Sequence, residues 1–155
     1  MNSPSSSNLP YDEATPWLAI LACQHAVVQF MGFFDMRAWP SMEQCVTPDI
    51  EWQRPDVTIR GLAHLRETLN ATPSYTRVRH IISNFQHTVH TPDDIVIKSY
   101  FTVYRMTGDE VNTNAISPLV GPVSMGRYTD HLVRHDGRWK IKRKETFVDF
   151  RRQPN

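Results

Sequence analysis

At 155 residues, with 40% hydrophobic and 10% aromatic content, the chain fits one domain with a sizeable core and excludes wholesale disorder. Lys and Arg number 17 against 16 Asp and Glu, and the resulting net charge of +1 supplies no general attraction to nucleic acid or to an acidic membrane. Two cysteines, Cys23 and Cys45, make no disulfide framework and read as free thiols of a cytoplasmic protein.

The start, MNSPSSSNLP, lacks the charged-then-apolar order of a signal peptide, and no uninterrupted apolar run reaches transmembrane length. Residues 1–14, rich in Ser, Asn and Pro, read as a flexible tail, residues 15–150 as a single domain, and 151–155 as a short C-terminal tail. Thr15 before Pro16 predicts an N-cap and a helix running to about Arg37. Along it Trp17, Leu21, Gln24, Val28 and Met31 recur at steps of three or four, which predicts one inward face. The next step on that stripe is Asp35. A carboxylate pointing inward needs a partner, because an unpaired buried charge is costly; the competing reading has Asp35 leave the helix end for water.

A short helix is predicted over 41–45, stopped by Thr47-Pro48-Asp49, followed by short strands at 50–53 and 57–60 and a helix over 62–70. The second half then turns to long strands, at 75–89, 94–106, 126–135 and 138–150. Asp136-Gly137 between the last two is a strong hairpin signal. Residues 108–125 read as a long loop, a candidate lid. Helices first and antiparallel strands after predict an α+β fold with a curved sheet.

Alternation in the first long strand puts Val78, His80, Ile82 and Asn84 on one face. A buried His80 needs a hydrogen-bond partner, and Asp35 is a suitable one. Such a pair would fix the imidazole tautomer and leave the other ring nitrogen free to take a proton. The alternative is a core histidine bonded to a backbone carbonyl. No histidine spacing supports zinc, and neither metal nor cofactor is called for. Lys140, Lys142 and Lys144 alternate along the last strand and read as a solvated face.

Four segments together carry a resemblance: the long helix ending Phe33-Phe34-Asp35, the stretch from Thr47 to Trp52, Arg79-His80-Ile81-Ile82-Ser83-Asn84, and the run from Tyr128 to Ile141. In this order they resemble the SnoaL-like group of the NTF2-like superfamily, over roughly residues 15–150. The resemblance implies a cone-shaped barrel, its mostly antiparallel sheet wrapped around the long helix and enclosing an apolar pocket. Scytalone dehydratase and hexachlorocyclohexane dehydrochlorinase, members of that group, use an Asp–His dyad for proton abstraction, at positions matching Asp35 and His80 here. The chain also departs from them. Phe30 stands where the dehydrochlorinase has a lysine, and Lys144 where it has an arginine, which argues against halide elimination. The second strand histidine of scytalone dehydratase is missing, so Tyr100, Tyr104 or Arg105 would have to act as the acid.

Tyr128 matches an aromatic pocket position and is a candidate donor to a substrate oxygen, or a packed strand aromatic. Asn84 is a candidate substrate-orienting amide, or a structural one. Trp52 with its aromatic neighbours would wall the pocket, or belong to the core. The expectation is a cofactor-independent lyase or isomerase, with His80 as base and Asp35 as its orienter, acting on a small, apolar, oxygenated molecule. A non-catalytic binding or assembly module of the same fold is the alternative, distinguished by a filled pocket or a separated pair. By resemblance the chain would form a homodimer or homotrimer, and its near-neutral charge calls for no nucleic-acid or membrane partner.

Overall fold

In the computed structural model, residues 16–108, 116 and 118–153 are described. The elements in chain order are α1 (Trp17–Asp35), α2 (Trp39–Glu43), β1 (Val46–Gln53), β2 (Thr58–Arg60), α3 (Gly61–Asn70), β3 (Thr76–Thr91), β4 (Asp94–Thr107), β5 (Ser124–His135) and β6 (Arg138–Arg151). They build one sheet in the order β2-β1-β6-β5-β4-β3. β1 runs parallel to β6, and every other neighbouring pair is antiparallel. The class is the α+β one expected. The sheet wraps α1 but stays open, with β2 and β3 as its two edges.

Each predicted element is present, with shifted ends. Pro40 sits inside the first turn of α2, where its missing N–H costs nothing. Thr47-Pro48-Asp49, expected to end a helix, instead belongs to β1 and coincides with a register break between Val46 and Glu51. Such a break accommodates a proline that cannot donate to a ladder. Asp136 and Gly137 both take positive φ, 50° and 73°, as the tight hairpin turn demands. β5 begins at Ser124, so the predicted loop is shorter at its far end. Residues 109–115 and 117, and with them the lid reading, lie outside the described residues, as do the N-terminal tail and Thr15.

The inward face of α1 differs from the predicted stripe. Ile20, Cys23, Val27 and Phe30 are fully buried, whereas Trp17, Leu21 and Val28 are exposed. The helix is apolar on nearly every side, so spacing alone allowed more than one stripe, and contact with the sheet selects among them. Met31, on the edge shared by both stripes, is buried. By length and composition α1 could cross a bilayer, contrary to the expectation from uninterrupted runs. Its packing against β3, β4 and β6 is that of a core helix.

Two β-bulges reset which side chains point inward. In β3 the register shifts between Ser83 and Gln86, and Asn84 adopts φ 54°. Asparagine tolerates this left-handed conformation better than most residues, so it suits a bulge. In β6 the register shifts where His131 and Leu132 face Arg143 and Ile141, which leaves Lys142 as the extra residue. Inward positions change there from Trp139 and Ile141 to Lys144, which becomes completely buried. The predicted solvated lysine face therefore ends at Lys142.

Gly126 lies beside the other register shift between β5 and β6. A Cβ at this position would meet the backbone carbonyl of Phe147 and come within 2.8 Å of Phe101 Cζ. A backbone carbonyl cannot rotate aside, so β5 and β6 would have to part. Gly126→Ala should cost stability at the upper end of the about 1–3 kcal/mol seen for overpacking, read as a lowered urea midpoint.

Both thiols are free and buried. Burial pushes Cys23 up to about 12 and Cys45 to about 11, with Arg134 and Lys140 respectively opposing the shift. Neither should react with iodoacetamide at neutral pH until the chain unfolds. The native state holds these protons after the unfolded state has released them. This stabilising contribution is therefore complete below the ordinary thiol value of 9.0 and lost as pH rises through the two folded values. Denaturant midpoints taken on either side of that value should fall with rising pH.

Candidate functional site

The C-terminus of α1 is built to hold Asp35 in place. Arg37 takes φ 56°, its N–H bonds to Phe34 O at 3.0 Å, and the Ala38 N–H bonds to Phe33 O at 2.9 Å. These are the two bonds of a Schellman ending, made here with arginine in place of the usual glycine. The Arg37 guanidinium reaches Thr72 O at 2.8 Å and Pro73 O at 3.0 Å, tying the helix end to the segment after α3. Arg79 on β3 donates to the Asp35 carbonyl at 3.2 Å, satisfying one of the orphan acceptors of the last turn.

Asp35 then spans to β3 with both carboxylate oxygens. Oδ1 lies 2.6 Å from His80 Nδ1, and Oδ2 accepts the backbone N–H of His80 at 2.7 Å. β3 is an edge strand, so this N–H has no neighbouring strand on its outer side and the carboxylate takes that place. The side chains of His80 and Asp35 are only 9% and 10% exposed. Phe34 meets the His80 ring edge to face, with centroids 5.5 Å apart. The imidazole is held by one helix and one strand at once.

His80 faces a cavity of about 550 Å³. Met31, Phe34, Trp52, Phe101 and Tyr128 form its apolar wall, and Arg54, Arg105, Arg151 and Arg152 also line it. Trp52 is fixed by a 2.9 Å bond from Nε1 to Thr146 Oγ1 and packs edge to face on Phe30. Tyr128 stacks on Phe101 with centroids 4.4 Å apart. Burial pushes its phenol well above the ordinary tyrosine range, and the carboxylates of Asp130 and Asp35 add to the shift while Arg54 opposes it. Tyr128 therefore remains a neutral O–H donor.

Beneath Tyr128 lies an ion pair that the sequence reading did not identify. Lys144 Nζ donates to both oxygens of Asp130, at 3.0 and 3.1 Å, and both side chains are 0% exposed. The same Nζ sits 3.5 Å from the centre of the Tyr128 ring and 5.9 Å from that of Phe30. Burial raises the Asp130 carboxyl and lowers the Lys144 ammonium, with each partner resisting the other's shift.

The structure thus brings His80, Tyr128, Trp52 and Arg105 around one cavity, with Asp35 bonded to His80 behind the lining. Phe30 stands behind Trp52 rather than in the lining. Three further candidates fall outside, Tyr104 among them, since it has no part in the cavity lining. Asn84, predicted on the face of His80, is exposed because the bulge at that residue breaks the alternation. Tyr100 is 50% exposed on the outer face of β4, opposite Arg127, since it is the odd-numbered Phe101, Val103 and Arg105 that point inward. Arg151 and Arg152, placed in a tail by the sequence reading, line the cavity, because β6 continues through Arg151. Among the described residues no cluster of three or more His, Cys, Asp or Glu could hold a metal ion.

With this geometry in place, comparison with known proteins identifies the fold group. The profile of the SnoaL-like domain matches residues 17–145. No curated protein matches the chain in sequence. Among solved structures, a candidate aromatic ring hydroxylase from Novosphingobium aromaticivorans is similar at TM-score 0.74 and 19% identity, covering 87% of this chain and 92% of that one. A candidate scytalone dehydratase from the same organism is similar at TM-score 0.72 and 19% identity, covering 86% of each chain. A type 2 hexachlorocyclohexane dehydrochlorinase gives TM-score 0.64 and 17% identity, covering 86% of this chain and 89% of that one. At these identities the likeness is one of fold. Since the profile spans most of the chain, the protein belongs to the SnoaL-like family of the NTF2-like superfamily.

Proposed function

We propose that the protein is a cofactor-independent lyase or isomerase whose base is His80, oriented by Asp35. The observation that carries this reading is the pair of hydrogen bonds that ties His80 to the Asp35 carboxylate beside an open cavity. The carboxylate holds the proton on Nδ1, which leaves Nε2 as the basic nitrogen for a substrate in the cavity. On proton transfer the imidazole becomes cationic, and Asp35 stabilises that charge at 2.6 Å.

The substrate is a small molecule with an apolar body and an oxygen function α or β to the carbon that loses its proton. Developing negative charge on that oxygen would be met by the neutral Tyr128 hydroxyl, a residue of the cavity wall. Elimination and double-bond migration share this first step. A cavity left open by its side chains and a joined Asp35–His80 pair are the two features set against a non-catalytic module of the same fold, and they favour the enzyme reading.

Incubating the protein in D₂O with a panel of hydroxylated and carbonyl compounds tests it, with deuterium at carbon followed by mass spectrometry. The expected result is exchange in at least one compound, slowed on the order of 10²–10⁴-fold in His80→Gln. Exchange that proceeds equally in the variant would remove His80 from the chemistry.

A further inference from the structure

The cavity carries a charge excess that the proximal proton-transfer groups do not use. Its charged lining, apart from His80, is Arg54, Arg105, Arg151 and Arg152 against Asp56, in a chain whose net charge is only +1. Two of these arginines are engaged. Arg54 pairs with Asp56 at 3.3 Å and lies over the Trp52 ring at 5.4 Å, and Arg152 donates to the Val120 carbonyl. Among the described residues, Arg105 and Arg151 have no carboxylate partner.

Strand register fixes where these two stand. His80 is paired with Val103, Val103 with Ser124, and Ser124 with Arg151, so Arg151 and His80 end one row across four strands. Along β4 the cavity-facing positions run from Phe101, beside Tyr128, through Val103, opposite His80, to Arg105. The site therefore has an axis along β4: Phe101 and Tyr128 at one end, His80 midway with Arg151 at the opposite end of its row, and Arg105 at the other end. From Phe101 to Arg105 a strand spans about 13 Å, the length of a small ring system bearing one acidic group.

We propose that the ligand of this cavity is an anion, its ring-bearing apolar body against Phe101, Trp52 and Tyr128 and its oxyanion head, a carboxylate or a phosphate, on Arg105 and Arg151. The proposal rests on the reading of this cavity as the substrate site and adds the substrate's charge and orientation. Guanidinium forks recognise both kinds of head through paired charge-assisted bonds. An exposed pair leaves such bonds open to screening by salt.

The test is isothermal titration of the full-length protein with 2-naphthoate, 2-naphthyl phosphate and neutral 2-naphthamide, which share one ring system. At least one anion should bind about tenfold more tightly than the amide at low salt, and the tighter anion identifies the head group. Added NaCl should narrow the difference, and Arg105→Gln/Arg151→Gln should abolish it without loss of fold, since both side chains are exposed. His80→Gln should keep the preference for the anion, which separates this proposal from the role of His80 as base. Equal binding of amide and anions, no measurable binding of either anion, or a preference that survives in the double arginine variant would overturn it.

Discussion

Asp35→Asn should leave the fold intact and slow proton transfer on the order of 10²–10⁴-fold. The expectation follows from counting donors. Asp35 now accepts from two N–H groups of His80, the backbone at Oδ2 and the ring at Oδ1. An asparagine has one oxygen and one NH₂ in the same places. The backbone N–H can only donate, so the amide oxygen must turn to it, and the NH₂ is left facing Nδ1. Nδ1 must then accept, and the ring proton moves to Nε2, the nitrogen that has to be unprotonated to act as base. The shape of the site is kept and its polarity is reversed. Asp35→Asn and His80→Gln combined should be little worse than either alone, because both remove one unit of function.

Lys144→Met and Asp130→Leu should each destabilise the protein by about 3–5 kcal/mol, while the double variant recovers most of the loss. Each single change leaves one polar partner with no exposure and no counterpart, since both side chains are completely buried. Removing the two together exchanges the ion pair for apolar packing, which often costs nothing. Denaturant midpoints of the three variants form a double-mutant cycle. Singles that each lose less than about 1 kcal/mol, the worth of an ordinary surface pair, would contradict the account. The pair also bears on the cavity, because Lys144 Nζ lies 3.5 Å from the centre of the Tyr128 ring. Tyr128 should lose its fixed position in the Lys144→Met protein.

How much could be read from the residues follows from where local rules govern. The helix ending in Asp35, the strand carrying His80 and the Asp136-Gly137 turn are written in short patterns, and the structure places them as those patterns imply. Facing, by contrast, depends on bulges, and a one-residue insertion reverses every later side chain in a strand. The bulge at Asn84 turned that amide out of the site. The one at Lys142 turned Lys144 into the core, where it meets Asp130. Neither has a signal as plain as a hairpin dipeptide, although an asparagine in the middle of a strand is a hint of left-handed backbone. In α1 the chain is apolar on too many sides for spacing to single out the buried stripe, and the sheet decides it. Tyr100 and Arg105 have opposite parity, so the residues left both open, and the register with β5 chooses Arg105.

The central claim is that Asp35 fixes the tautomer of His80, and a long-range ¹⁵N–¹H correlation spectrum of the imidazole at pH 8 tests it without any substrate. The parent protein should show the proton on Nδ1 and a bare Nε2, and Asp35→Asn should show the reverse. A parent with its proton on Nε2, or one tautomer common to both proteins, would contradict the account.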